Sequence, residues 1–384
     1  MKINKYLDIS KSIIRLFKNN ILGWKTNRKI IVFDSDDWGC IRMPSKEVFD
    51  TLKKNKIPVD KCSFNKYDSL ASEKDLTSFF EVLLSHKDKN NRSPVFTANV
   101  IVANPDFKKI KESNYSKYYY ETFIDTLKSY PEHSNSFKLW IYGQEKGVFH
   151  PQLHGREHLN VNYWMSLLNQ NFKDTKLAFK MNMYGLSTNI SSELKKSILA
   201  AFNYDYENEL KNQKEILIDA QDIFNQIFGY KSKSFIAPNN IWSPKLEETL
   251  SNLGVEFIKT SRRQILPVGE SKKNTFISHF NGQVNKFGQI FLVRNCVFEP
   301  STDLAKDHVK DCISQIAVSF RFKNPAIITS HRLNYIGFID EENRIKNLEF
   351  LNDLLSQIIK RWPDVEFINS DELGQIIKNS KKMI

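Results

Sequence analysis

Cysteine is scarce in this chain: Cys40, Cys62, Cys296 and Cys312 are the 4 in 384 residues, far apart and without a C-x-x-C pair. That excludes a disulfide scaffold and a thiolate-bound zinc cluster, and it reads as free thiols in a reducing compartment. Glycine (13) and proline (12) are sparse and scattered, which excludes fibrous, Pro-rich and Gly/Ser-linker architectures. No repeat of solenoid period recurs, so an array of small units is excluded as well. Long apolar runs are also missing. The N-terminal stretch carries Ile13, Ile14, Phe17, Ile21 and Leu22, but Lys and Arg interrupt it throughout, which suits neither a membrane span nor the apolar part of a signal peptide. The expectation is therefore a cytoplasmic protein.

Positive charge, by contrast, is in excess, with 56 Lys and Arg against 44 Asp and Glu and a net charge of +12. The excess is mostly scattered lysine, without an Arg-rich stripe or a nucleic-acid-binding motif, so no nucleic-acid partner is expected. Residues 1–28 read as a basic amphipathic helix. Such a helix packs on its own domain or rests on an anionic membrane surface, which would make the protein peripheral at the inner membrane face.

Short apolar runs, each followed by a helical segment, recur along the remainder, as a parallel sheet with crossover helices requires. Candidate strands are Lys29–Phe33, Val95–Val102, Ser234–Ala237, Glu256–Lys259, Ile290–Arg294, Ala326–Thr329 and Glu366–Asn369, with a weaker one near Gly147–Leu153. Ser45 and the Ser243-Pro244 pair mark helix starts. Residues 106–142, rich in Tyr and Lys, and 160–233, a succession of helices, break the rhythm and read as insertions. With no linker composition in between, residues 29–384 read as one elaborated α/β catalytic domain.

Three segments carry chemistry. In IVFDSDDWG a β-branched run ends in Asp34, Asp36 and Asp37, at the carboxyl end of a strand where parallel α/β folds build sites. Carboxylates this close repel when all are ionised, which calls for a cation or a raised pKa; solvated turn residues are the plain alternative. In PQLHGREHLN, His154 and His158 stand four apart, a spacing that lets both imidazoles aim at one divalent ion. In AIITSHRLN an apolar run ends at His331. A lone histidine is usually structural, but three such clusters collect at the same end of a barrel.

These segments resemble the polysaccharide deacetylases of carbohydrate esterase family 4, which have an Asp-Asp pair after the first strand, an H-x-x-x-H motif and a histidine closing a late strand. The matching residues are Asp36-Asp37, His154 with His158, and His331; the likeness runs from about Lys29 to the C-terminus, excluding the two insertions. It implies a distorted (β/α) barrel of about seven parallel strands and a metal-dependent removal of acetyl groups, N-acetyl foremost, from a carbohydrate of surface polysaccharide metabolism. It implies Asp37, His154 and His158 as ligands of a divalent cation, zinc expected, with Asp36 as base and His331 as acid. A bound cation acidifies its water and polarises the carbonyl. The register stays open, because side chains two apart on a strand share a face, which would pair Asp34 as base with Asp36 on the metal. The arginine expected in the third motif is replaced by Ala237, Pro238 and Asn239, leaving Arg294 and Arg262 as candidates to brace the base. No partner aspartate for His331 is evident. Asn295 and Glu299 are candidates for the pocket rim or for capping the next helix, and Trp38, Trp164 and Trp242 for stacking on sugar rings or for packing.

Overall fold

The computed structural model describes residues 20–267 and 275–382. The segment read as an amphipathic helix therefore lies, as far as residue 19, outside the described residues. Nine parallel strands form the main sheet: β1 (Lys29–Trp38), β2 (Phe96–Ile101), β3 (Phe149–Gly155), β4 (Ser234–Ile236), β5 (Phe257–Thr260), β6 (Ile290–Val293), β7 (Cys296–Val297), β8 (Ala326–His331) and β9 (Val365–Phe367). The spatial order is β6-β5-β4-β3-β2-β1-β8-β7, with β9 paired to the first residues of β1.

The two ends of that order are consecutive in sequence. β6 pairs with β5, and β7, beginning at Cys296, pairs with β8. Between them the Arg294 amide bonds the Thr260 carbonyl and the Asn295 amide bonds the Ile327 carbonyl. One stretch of chain thus borders both edges, and the sheet closes as a barrel in which β6 and β7 share one position. That leaves seven positions around the barrel, as expected, with β9 appended.

Parallel strands covered on both faces are almost continuously apolar. Residues 30–33 of β1 are fully buried, and Phe33 stacks on Phe96 of β2 with ring centroids 4.6 Å apart. The weaker candidate near Gly147–Leu153 is strand β3, which runs through His154 itself. The helix starts also hold: Ser45 accepts from the Val48 amide, and Ser243 from the Lys245 amide ahead of helix Glu247–Asn252.

The stretch 106–142 contributes helices Phe107–Glu112 and Phe123–Lys128, with a short antiparallel pairing of Ala103–Pro105 against Tyr120–Thr122 at its start. The stretch 160–233 holds helices Val161–Asn169, Lys173–Lys180 and Glu209–Phe228. Every barrel strand points the same way, so their carboxyl ends share one mouth.

Candidate active site and metal centre

β1 delivers its three aspartates to that mouth in two different ways. Through Asp36 it pairs in register with β8, Asp36 lying opposite His331. Against β2 the register shifts between Ser35 and Trp38, and Asp37 adopts a positive φ of 71°. A non-glycine residue rarely takes this conformation, and where it does the site is worth inspecting for function. The irregularity breaks the strict alternation of a strand. Asp37 therefore turns to a different set of neighbours, while Asp34 and Asp36 keep the shared face that the alternation predicts.

Asp34 and Asp36 share a floor of donors. The Arg294 guanidinium donates through Nε to Asp34 Oδ2 at 2.7 Å and through Nη1 and Nη2 to the two oxygens of Asp36, both at 2.6 Å. Asn99 Nδ2 donates to Asp34 Oδ1 at 2.8 Å and to Asp36 Oδ1 at 2.7 Å. Lys259 adds a bond to Asp34 Oδ1 at 3.2 Å. Burial alone would push both carboxyls up, but Arg294, joined by Lys259 at Asp34 and by His154 and His331 at Asp36, holds each below the usual carboxylate range. The guanidinium that meets Asp36 thus comes from the residue after β6, not from the Ala237–Asn239 segment. Arg262, the other candidate, is half-buried just ahead of the Arg263–Leu266 and Thr275–Ser278 hairpin.

Asp37 faces imidazoles instead. Its Oδ1 lies 3.5 Å from His154 Nε2 and 3.2 Å from His158 Nε2, while Oδ2 accepts from Arg42 Nη2 at 3.2 Å. All three ligand-type residues are buried, with one donor atom of each within 4.8 Å of the others. Asp37 Oδ1 is buried without a hydrogen-bond partner. An orphaned carboxylate oxygen is costly, and bonds of about 2.0–2.1 Å to a tetrahedral ion put ligand atoms about 3.3 Å apart. The donor set therefore fits a divalent cation. His154 Nδ1 donates to the Ile236 carbonyl at 2.8 Å, which leaves Nε2 as the free lone pair.

The loop between the two histidines is anchored outward. Arg156 pairs with Glu157 at 2.6 Å and with Asp219 of helix Glu209–Phe228 at 2.7 Å, and its guanidinium lies over the Tyr120 ring. Both irregular stretches of chain thus hold the imidazoles in place.

His331 closes the site on the other side. Its Nδ1 donates to Glu299 Oε1 at 2.6 Å, and its Nε2 lies 3.7 Å from Asp36 Oδ2. Burial opposes charge on this ring. The Glu299 carboxylate, with Asp37 and Asp36 beyond it, prevails and pushes His331 up to about 10. Glu299 is in turn fixed by Asn334 Nδ2 at 2.7 Å. The partner acid not evident among the aspartates is thus a glutamate two residues past β7.

Asp36, Asp37, His154, His158 and His331 line a single cavity of about 300 Å³. A second cavity, about 320 Å³, lies beside helix Val161–Asn169. Its charged groups largely satisfy one another, as in the Lys196–Asp205 ion pair and the Asn162–Glu209 bond, so the chemistry resides in the first.

No protein-family model and no curated protein matches this chain. Among solved structures it is similar to a protein described as a polysaccharide deacetylase from Mycobacterium smegmatis, at 9% identity over 94% of each chain with a TM-score of 0.45. It is also similar to one so described from Pseudomonas aeruginosa, at 8% identity over 91% of each chain with a TM-score of 0.42. A carbohydrate esterase family 4 pseudoenzyme from Bacillus anthracis aligns at 10% identity over 91% of this chain and 66% of that one, with a TM-score of 0.37. Likenesses this distant transfer no activity, and what this chain can do rests on its own geometry.

Several expectations need correction. Trp38, Trp164 and Trp242 are each at most 1% exposed and offer no face to a sugar. Trp38 Nε1 donates to Ser35, and its ring packs on Phe149 with centroids 4.8 Å apart. Asn295 sits at the barrel seam, bonding the Pro325 carbonyl and the Ile327 amide, where its side chain completes the pairing with β8. The reading of the four cysteines as free thiols holds, and burial pushes the Cys40 and Cys296 thiols up to about 12, which leaves them inert as nucleophiles. Sequence reasoning missed Asn99, Lys259 and Arg42. The first two were visible as polar residues inside apolar strand segments, FTANVI and FIKT.

Proposed function

We propose that this chain is a metal-dependent hydrolase that removes an acetyl group from a carbohydrate, an N-acetyl group foremost. One observation carries the reading: the partnerless Asp37 Oδ1 converges with two imidazole nitrogens beside a paired carboxylate and a charged histidine in one cavity.

Asp37, His154 and His158 would hold a divalent cation, zinc by the character of two nitrogen donors and one oxygen. When bound, that ion supplies Lewis acidity to a water and to the acyl carbonyl. Asp36 takes the proton from the attacking water. Its carboxylate has about four acceptor positions and receives three donors here, so a position on Oδ2 remains open. Held below its usual range by Arg294, Asp36 stays ionised at any working pH. A base this weak needs an acidified water, which is why it stands beside a cation site. His331, protonated through its Glu299 pairing, gives its Nε2 proton to the departing nitrogen.

The test joins metal analysis to product analysis. Protein purified without chelators should carry about one divalent ion per chain and release acetate from one member of a panel of N- and O-acetylated saccharides. Metal-free protein that releases no acetate on reconstitution with zinc, cobalt or manganese overturns the reading.

A further inference from the structure

Of the two buried cations that meet Asp34, the chemistry above gives Lys259 no task. Lys259 belongs to β5, faces the barrel interior, and has 0% of its surface exposed. An ammonium in a dry interior is costly unless paired. Lys259 donates to Asp34 Oδ1 at 3.2 Å and to Asn99 Oδ1. Neither partner touches the cation site, so Lys259 does not serve the metal.

The amide of Asn99 is the link. Its Nδ2 spends both hydrogens, one on Asp34 and one on Asp36, and its Oδ1 accepts from Lys259. An asparagine offers one accepting and one donating end of nearly equal shape, and the surroundings decide which faces which way. Here two carboxylates on β1 take the donating end and an ammonium on β5 takes the accepting end. Without Lys259 the accepting end would be buried with no donor, and the amide would lose the contact that opposes the pull of Asp34 and Asp36. Among the described residues Arg294 would then be the one cation left hydrogen-bonded to Asp34.

We propose that Lys259 is a positioning residue for Asp36, acting through the amide of Asn99. The inference rests on the reading of Asp36 as the base. Lys259 and Asn99 touch neither substrate nor cation, and they fix the angle at which the open side of Asp36 Oδ2 meets the water. A misplacement on the order of 1 Å in a reacting group can cost about a hundredfold in rate.

The experiment compares metal-loaded wild type with Lys259→Met, Lys259→Gln, Asn99→Leu and the double variant Lys259→Met/Asn99→Leu, using the acetylated saccharide that wild type hydrolyses. Lys259→Met is expected to lower kcat by about ten- to a hundredfold with KM and metal content unchanged. Lys259→Gln, which keeps an N–H donor but no charge, should recover a large part of that loss. The double variant should be no slower than Asn99→Leu alone, because removing the link removes what Lys259 acts through. Losses that multiply in the double variant, a glutamine no better than methionine, or a Lys259→Met kcat within twofold of wild type would each overturn the proposal.

Should Lys259→Met not fold, the glutamine variant and Asn99→Leu carry the test. Should wild type release no acetate from any saccharide, the deacetylase reading falls by itself, and crystal structures decide the network. An Asn99 amide turned in the methionine variant and unturned in the glutamine variant supports it, and an amide unmoved in both overturns it.

Discussion

The floor of the site and its rim, one residue apart along β1, are built on opposite plans. On the floor Asp34 and Asp36 are met by Arg294, Lys259 and Asn99, so each anion has cations or donors at hydrogen-bond distance. On the rim Asp37 has one guanidinium, Arg42, on Oδ2, and two imidazole nitrogens 3.2 and 3.5 Å from an Oδ1 that has no hydrogen-bond partner. The floor is electrostatically complete as it stands, and the rim keeps an unpartnered oxygen that a cation would satisfy. A kink of one residue at Asp37 is enough to separate the two. The comparison teaches that adjacency in sequence does not make two carboxylates a pair.

The rim is the place to break this contrast with the largest effect. Asp37→Ala, or His154→Ala, should abolish both metal binding and turnover, and metal analysis after gel filtration reads it directly. Asp36→Asn, the corresponding change on the floor, should keep the metal and lower kcat by about a hundred- to ten-thousandfold, the usual worth of a positioned general base. Equal metal loss in both variants would mean that floor and rim form one unit.

The barrel was legible because buried parallel strands announce themselves as apolar runs, and Ile30–Phe33 and Ala326–Ile328 do so plainly. The clusters at their ends were legible for the same reason, since a carboxylate or imidazole that interrupts such a run must face a mouth or a partner. What stayed hidden depends on pairing across the barrel. Arg294 could be named but not placed, because its bond to Asp36 spans 258 positions of sequence. Glu299 stood between the pocket rim and a helix cap because nothing local says that β7 and β8 lie side by side. The tryptophans misled because a large amphipathic ring looks the same in sequence whether it lines a pocket or, like Trp38, packs against Phe149 and Trp140. The positive φ at Asp37 left no sequence signal at all, and it alone decides which aspartate meets the histidines.

Among the described residues Arg42 is the one fixed cation bonded to Asp37, and its removal sharpens the comparison with a smaller effect. It orients Asp37 through the 3.2 Å bond to Oδ2, yet its charge repels a cation bound at Oδ1. Groups that orient a ligand from behind are typically worth about ten- to a hundredfold in metal affinity. Arg42→Met should therefore weaken zinc by that factor in competition with a chelator. A gain in affinity instead would show that repulsion outweighs orientation at this position.

The smallest effect at neutral pH, and the most diagnostic, is expected from Glu299→Gln. His331 must be protonated to serve as an acid, so activity that depends on it is present below its pKa and is lost as pH rises through that value. With Glu299 the value stands at about 10, which keeps the acid form intact across the working range. Glutamine keeps the size of the side chain and removes the charge, so the ring should fall back towards the ordinary 6.5, since burial is then opposed only by Asp37 and Asp36. A fall to 6.5 leaves about a quarter of the ring protonated at pH 7 and about one part in thirty at pH 8. The kcat of Glu299→Gln should accordingly drop about fourfold at pH 7 and about thirtyfold at pH 8, while the profile below pH 6 stays close to wild type. An alkaline limb that does not move would remove His331 from the proton path, and with it the pairing that separates this side of the site from the rim.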